Sequence, residues 1–348
     1  MRRPHFALSE GCSPRHGDAT MEKQAQGAHA AAQVFPFAHS PDNRHAWDGR
    51  SAGEGVPFEI RPDPFGNRLS AEVHGLDLSQ PLDAETVRTL YAAWVRYKIL
   101  IFVDQHIDDA QQIAFTRYFG PLEEFPMKAV RANTHSEIFR VSNVDTEGNH
   151  LPADHNTVRY LHVTQQWHID SSYRAVPSKG SVFRGIELTR QGGETWFCDL
   201  EQAYEDLPAA LRTRVDGLQA VHDFEVSRRA VGNLAPLSPE EKAAVPVAVH
   251  PLVRTHPDSG RRSLFLSPVH ISHVVGLSAA DSKALLDELV GLAVQEKYIY
   301  KHRWWPGDVM MWDNRSLMHW AQPFNEQALR RVMHRTTLAG ERAAGASQ

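Results

Sequence analysis

Beyond Pro121 the chain consists of short apolar runs separated by Gly- and Pro-containing turns, and that pattern restricts the fold more than any other feature. The runs include "EIFRVSNV", "GSVFRGIEL", "TWFCDL", "LQAVHDF", "HPLVRTH", "RRSLFLS", "KYIYKHRWW", "DVMMWD" and "RRVMHRTTLAG". Each has strand length and carries β-branched or aromatic residues, the side chains that suit a pleated, half-buried surface. One segment interrupts them: 278–295 has an amphipathic helical stripe with Ser278 placed as N-cap. Many short strands with few helices predict a mainly β protein with flanking helices, a jelly-roll or barrel rather than a doubly wound sheet.

The helices belong mostly to the N-terminal part. Val87, Leu90, Tyr91, Trp94 and Val95 make a helical stripe over 83–98, followed by the strand-like run "ILIFVD". In "HIDDAQQIAFTRYFG", Asp108 and Gln111 form a capping-box pattern before a second helix. "FEIRPDPFGNRLSAEVHGLDL" reads as two strands around a turn at Pro64 to Asn67. Residues 1–55 lack periodicity and are expected to be a flexible tail, with Met21 as an alternative translation start. The folded domain is expected over 56–341, with a short C-terminal tail at 342–348.

Charge and cysteine usage exclude several function classes. A net charge of −5 does not supply the basic surface that nucleic-acid binding requires. Cys12 and Cys198 are too few for a disulfide framework, which favours a reducing cytoplasm. The basic start "MRRPHF" is not followed by a signal-peptide apolar run, and no stretch reaches the roughly 20 apolar residues of a membrane span.

His-x-Asp occurs at His16-Asp18, His106-Asp108, His168-Asp170 and His256-Asp258. Asp108 is accounted for as a helix cap, His256-Pro-Asp258-Ser-Gly reads as a turn, and His16-Asp18 falls in the tail. The pair at 168 and 170 can chelate if it lies on a strand, where residues i and i+2 share a face. A third ligand would complete the two-His, one-carboxylate triad that suits non-haem Fe(II). His319, among apolar and aromatic residues, is the best candidate, but spacing alone does not separate it from His222, His250, His302 or His334.

"WHID", "GGETWF", "GDVMMWDNRSLMHWA" and "RRVMHRTTLAG", in that order, resemble the taurine/2,4-dichlorophenoxyacetate (TauD/TfdA) dioxygenase family. The resemblance runs from about Asn67 to about Gly340. It implies a double-stranded β-helix, a cupin-like jelly-roll, using Fe(II), 2-oxoglutarate and O2 and releasing succinate and CO2. His168, Asp170 and His319 match the iron ligands. Thr195 matches the hydroxyl bound to a 2-oxoglutarate carboxylate, and Trp312 matches an aromatic wall of that pocket or a core residue. Arg331 matches the arginine on the distal carboxylate, with Arg330 the alternative. Arg335 matches an arginine near the substrate's anionic group or supporting the co-substrate. A carboxylate at Asp170, where halogenases carry a small residue, implies hydroxylation.

The run "WHIDSSYRAVPSKGSVF" resembles the aryloxyalkanoate branch, which implies a small carboxylate-bearing substrate. Thr164 stands where the taurine enzyme uses Asn, and Tyr173 and His270 are further candidate pocket residues. A sulfonate or alkyl sulfate substrate is the alternative, and a non-catalytic 2-oxoglutarate- or metal-binding jelly-roll the other class. A zinc hydrolase lacks its His-Glu-x-x-His helix here. By analogy with relatives a homo-oligomer, dimer or tetramer, is expected.

Overall fold

The computed structural model describes residues 58–63, 68–124, 131–132, 135–231 and 237–340. The expected tails and the turn at Pro64 to Asn67 lie outside them. β1 (Glu59–Pro62) and β2 (Ser70–His74) pair antiparallel, as the sequence pattern requires. In α1 (Ala84–Tyr97) the Asp83 carboxylate accepts the Thr86 N–H at 2.7 Å, and Leu90, Ala93, Trp94 and Tyr97 form the buried stripe. The helix stops at Lys98, whose φ of 63° is left-handed without glycine's freedom. Its buried ammonium lies 2.7 Å from Asp199 and 2.9 Å from Glu201, contacts that hold the residue in that conformation. β3 (Ile99–Phe102) follows, then α2 (Asp109–Arg117), whose capping box between Asp108 and Gln111 is complete.

The chain continues through β4 (Arg131–Ala132), β5 (His135–Ser142), α3 (Asn156–Thr164), β6 (Gly180–Glu187), β7 (Thr195–Asp199), α4 (Leu200–Glu205) and α5 (Ala209–Val215). Next come β8 (Gln219–His222), α6 (Phe224–Val231), α7 (Pro239–Ala244), β9 (Ala248–Pro251), β10 (Val253–Thr255), β11 (Arg262–Leu264) and β12 (Ile271–Val274). The last elements are α8 (Ala279–Ala293), β13 (Ile299–His302), β14 (Val309–Asp313), β15 (Leu317–Ala321) and β16 (Val332–Leu338). Helices α3 to α7 correct the expectation of a single helix beyond Pro121. They are six to nine residues long, too short for a sustained 3.6-residue stripe to stand out.

Eight strands form the main sheet in the order β1-β2-β3-β14-β6-β16-β5-β4, and β13-β7-β15 form a smaller sheet. Strand alternation sorts the side chains between two cores. From β14, Val309 and Met311 join Leu90, Trp94 and Phe115 beneath the helices, while Met310 and Trp312 turn inward. Those two meet Phe183 of β6, Phe197 of β7, Leu317 of β15 and Met333 of β16. The two sheets thus close on one another as a jelly-roll around this inner core. A third cluster, including Leu285 and Leu289 of α8 and Leu200 and Tyr204 of α4, packs against the smaller sheet's outer face. No helix among the described residues is long and apolar enough to cross a membrane.

Candidate active site

The structure brings His168, Asp170 and His319 together, all buried, with one potential ligand atom from each inside a 4.8 Å span. His319 lies on β15 and faces the inner core. The expectation that 168–170 is a regular strand does not hold. His168 makes one isolated bridge to His319, through reciprocal N–H···O bonds of 2.9 and 2.8 Å, and Asp170 sits in the turn that follows. The next residue, Ser171, has a φ of 53°, a conformation uncommon away from glycine that turns the chain sharply after the ligand.

The hydrogen bonds specify the protonation of His168. Its Nδ1 lies 2.8 Å from the Gln166 carbonyl and must therefore carry the proton, which leaves the buried Nε2 with a lone pair and no hydrogen-bond partner. Burial pushes the pKa of both His168 and His319 down, keeping the imidazoles neutral as ligation requires. For Asp170, burial alone would push the pKa up. The Arg335 guanidinium foremost, with the Ser181 hydroxyl, outweighs it and holds the carboxyl ionised, well below its usual range. Arg335 Nη1 lies 2.5 Å from Asp170 Oδ1, and the Ser181 hydroxyl donates to Oδ2 at 3.1 Å. Two neutral imidazoles, each with a buried nitrogen lacking a hydrogen-bond partner, and one ionised carboxylate fit a mononuclear iron(II) ion.

Along the same inner face, β7 places Thr195 opposite Ala321, one strand repeat from His319. The Thr195 hydroxyl accepts the indole N–H of Trp304 at 2.9 Å. Gly192 and Gly193, at φ of 71° and 76°, turn the chain into β7. A Cβ on Gly193 would stand 3.1 Å from Arg331 Cδ and Nε, so this glycine leaves room for the arginine's stem. Arg331 and Arg330 separate cleanly. Arg330 is exposed and paired with Glu187 at 2.8 Å, whereas Arg331 is buried with its Nη2 lacking a hydrogen-bond partner. Burial pushes Arg331 down to about 10. Its backbone is anchored by Asn143, whose side chain accepts the Arg331 N–H and donates to the Glu326 and Leu329 carbonyls.

Trp312 packs as a core residue next to His319. It is fully buried in the inner core, and its ring centroid lies 5.0 Å from that of His319. Tyr173 and His270 pack 5.0 Å apart, and His270 is held by Ser172 and Ser267 at 3.0 and 3.1 Å. Burial pushes His270 down to about 3. Thr164 ends α3 and donates its hydroxyl to the Leu161 carbonyl, a bond within its own helix. Several site residues carried no signal in the sequence: Ser181, Trp304, and the rings Phe139, Tyr160 and Phe224. Phe139 lies under the Arg335 guanidinium at 4.9 Å, and Tyr160 packs on both Phe139 and Phe224. Phe224 lies 4.6 Å from Tyr173, so the rings form one continuous wall from Arg335 to His270.

A jelly-roll with a buried two-histidine, one-carboxylate centre defines a mononuclear non-haem iron protein. The model of the taurine catabolism dioxygenase TauD, TfdA family matches residues 60–337, and the chain belongs to that family. It is 37% identical over 293 residues to an (S)-phenoxypropionate/alpha-ketoglutarate-dioxygenase of Sphingobium herbicidovorans, covering 82% of this chain and 96% of that one. It is 36% identical to an alpha-ketoglutarate-dependent 2,4-dichlorophenoxyacetate dioxygenase of Cupriavidus pinatubonensis, covering 81% and 98%. The crystal structure of AAD-2 with Mn(II) and N-oxalylglycine superposes with a TM-score of 0.75 at 33% identity, covering 82% of this chain and 99% of that one. The protein is a 2-oxoglutarate-dependent dioxygenase, an enzyme using Fe(II), 2-oxoglutarate and O2.

Proposed function

We propose that the enzyme hydroxylates an aryloxyalkanoate-type carboxylic acid, releasing succinate and CO2. The carrying observation is the wall of Phe139, Tyr160, Phe224, Tyr173 and His270 beside Arg335, which suits a flat aryl group attached to an anion. The names of the two relatives above support the same substrate class.

In this reading His168, Asp170 and His319 hold the iron, which with 2-oxoglutarate and O2 supplies the oxidising power. Thr195 and Arg331 bind the distal carboxylate of 2-oxoglutarate, where a guanidinium offers two parallel N–H donors. Trp312 closes the pocket beside His319. Arg335 is a fork of five donors, so it can hold Asp170 and still face the substrate's carboxylate. The ring wall sets the aryl group and keeps water from the reacting carbon. Hydroxylation beside the ether oxygen gives a hemiacetal that collapses to a phenol and a 2-oxo acid. Thr164, hydrogen-bonded into α3, bounds the pocket from that helix. The catalytic domain spans 56–341, and the enzyme works in the cytoplasm as a homo-oligomer, which light scattering of the purified protein tests.

Purified protein with Fe(II) and 2-oxoglutarate should release succinate and phenol from phenoxyacetate or phenoxypropionate. Phe224→Ala should raise KM for these acids. A preference for taurine or an alkyl sulfate overturns the substrate, and no succinate from any of them overturns the enzyme.

A further inference from the structure

The polar surroundings of Thr195 carry one step further, resting on the reading that Thr195 and Arg331 bind the distal carboxylate of 2-oxoglutarate. Trp304 follows β13 and is buried, with its indole N–H 2.9 Å from Thr195 Oγ1. An indole nitrogen donates and never accepts. Thr195 must therefore accept in this contact, and its single hydrogen points elsewhere. The indole is held in place on two sides. Its ring meets Phe183 edge-on at 5.3 Å and 85°, and His302 at 4.7 Å and 88°. Turning it away from Thr195 would break both contacts. Trp304 also lines a small cavity shared with Arg331, Gly193 and Glu194, so it stands at the position the arginine addresses.

We infer that Trp304 sets the polarity of the co-substrate pocket. Trp304 takes one of the two lone pairs of the Thr195 hydroxyl, and among the described residues the hydroxyl's hydrogen has no protein acceptor, so the hydrogen is satisfied by donating toward the ligand. Thr195 and Arg331 then both donate best to a ligand that accepts, because a ligand donor at Thr195 would leave the hydroxyl's hydrogen unpartnered. Such a pair satisfies a carboxylate, which only accepts, and rejects a carboxamide, whose NH2 would meet a donor. Trp304 is a positioning residue, acting through Thr195 and not touching the reacting atoms.

The test is calorimetric titration of the Mn(II)-loaded protein with 2-oxoglutarate and with 2-oxoglutaramate, its distal amide. The wild type should prefer the dicarboxylate on the order of a hundredfold. Trp304→Phe keeps an aromatic ring and removes the N–H, freeing Thr195 to rotate and accept from the amide. It should weaken 2-oxoglutarate about fivefold and strengthen the amide, so the preference falls by about tenfold. In turnover, KM for 2-oxoglutarate should rise with kcat nearly unchanged. In a Thr195→Val background the tryptophan substitution should no longer change either affinity. A merely structural role would weaken both ligands alike and would persist beside Thr195→Val, so either result overturns the inference. Should Trp304→Phe fail to fold, the indole N–H resonance of Trp304 in the Zn(II)-loaded wild type replaces it as the readout. That signal should shift on adding 2-oxoglutarate and shift less with the amide; an unmoved signal overturns the inference. A wild type that binds no 2-oxoglutarate overturns the co-substrate reading beneath it, whereas tight binding with an unaltered preference in Trp304→Phe overturns only the role of Trp304.

Discussion

Replacing Arg331 by methionine should move fold stability and co-substrate binding in opposite directions. The guanidinium is buried, its Nη2 has no hydrogen-bond partner, and burial lowers its pKa to about 10. A fall of that size corresponds to roughly 3 kcal/mol of desolvation cost for a cation that is charged in both folded and unfolded chains at neutral pH. Methionine keeps an unbranched apolar stem against Phe183 and removes the charge. The ligand-free protein should therefore gain about 1–3 kcal/mol, a Tm rise of several degrees for a domain of this size. The same substitution removes two charge-assisted hydrogen bonds to the distal carboxylate and should weaken 2-oxoglutarate by about 3 kcal/mol, on the order of a hundredfold. Thermal unfolding of the Mn(II)-loaded variant, with and without 2-oxoglutarate, reads both effects at once. The reasoning is refuted if Tm falls without ligand, or if 2-oxoglutarate still raises it as in the wild type.

Asp170→Ala should abolish tight Mn(II) binding. It should also destabilise the metal-free protein by about 3 kcal/mol in urea unfolding, because Arg335 loses its buried carboxylate. Gly193→Ala should raise KM for 2-oxoglutarate at least several-fold, since its Cβ would stand 2.8 Å from Thr189 Oγ1 and 3.1 Å from the Arg331 stem at a positive φ. His250 is buried and held down to about 4, so it stays neutral in the fold while the unfolded chain protonates near its ordinary value. Stability is complete above about pH 6.5 and should fall by up to about 3 kcal/mol as pH drops through the window to about 4. Urea midpoints across that range should fall less steeply in His250→Gln, and parallel slopes would contradict the assignment.

What the sequence made legible follows the range of the interactions. Capping at Asp108 and Ser278 is decided within four residues, and both caps stand in the structure. The alternation of β14 and β16 likewise places Met310, Trp312, Met333 and Arg335 on the inner face. His168 and Asp170 were singled out because the competing pairs had local explanations, yet their geometry comes from one bridge to a distant strand and a left-handed Ser171. His256 and Asp258 do lie in the turn between β10 and β11, but they also reach Asp313 and Arg315, a buried network with no local pattern. The ring wall was missed for the same reason. Tyr160 and Phe224 belong to short helices whose spacing reports only that each has an apolar side.

The bridge between His168 and His319 ties together backbone positions separated by roughly 150 residues. Closing a loop of that length brings no return until β15 is in register with β7. The two imidazoles therefore come within reach of one ion only after nearly all of the jelly-roll has assembled. Partly folded chains offer the metal at most the His168-Asp170 half of the chelate. Iron capture should accordingly be a late folding event, and the incorporated metal a report that the chain has closed in its correct topology.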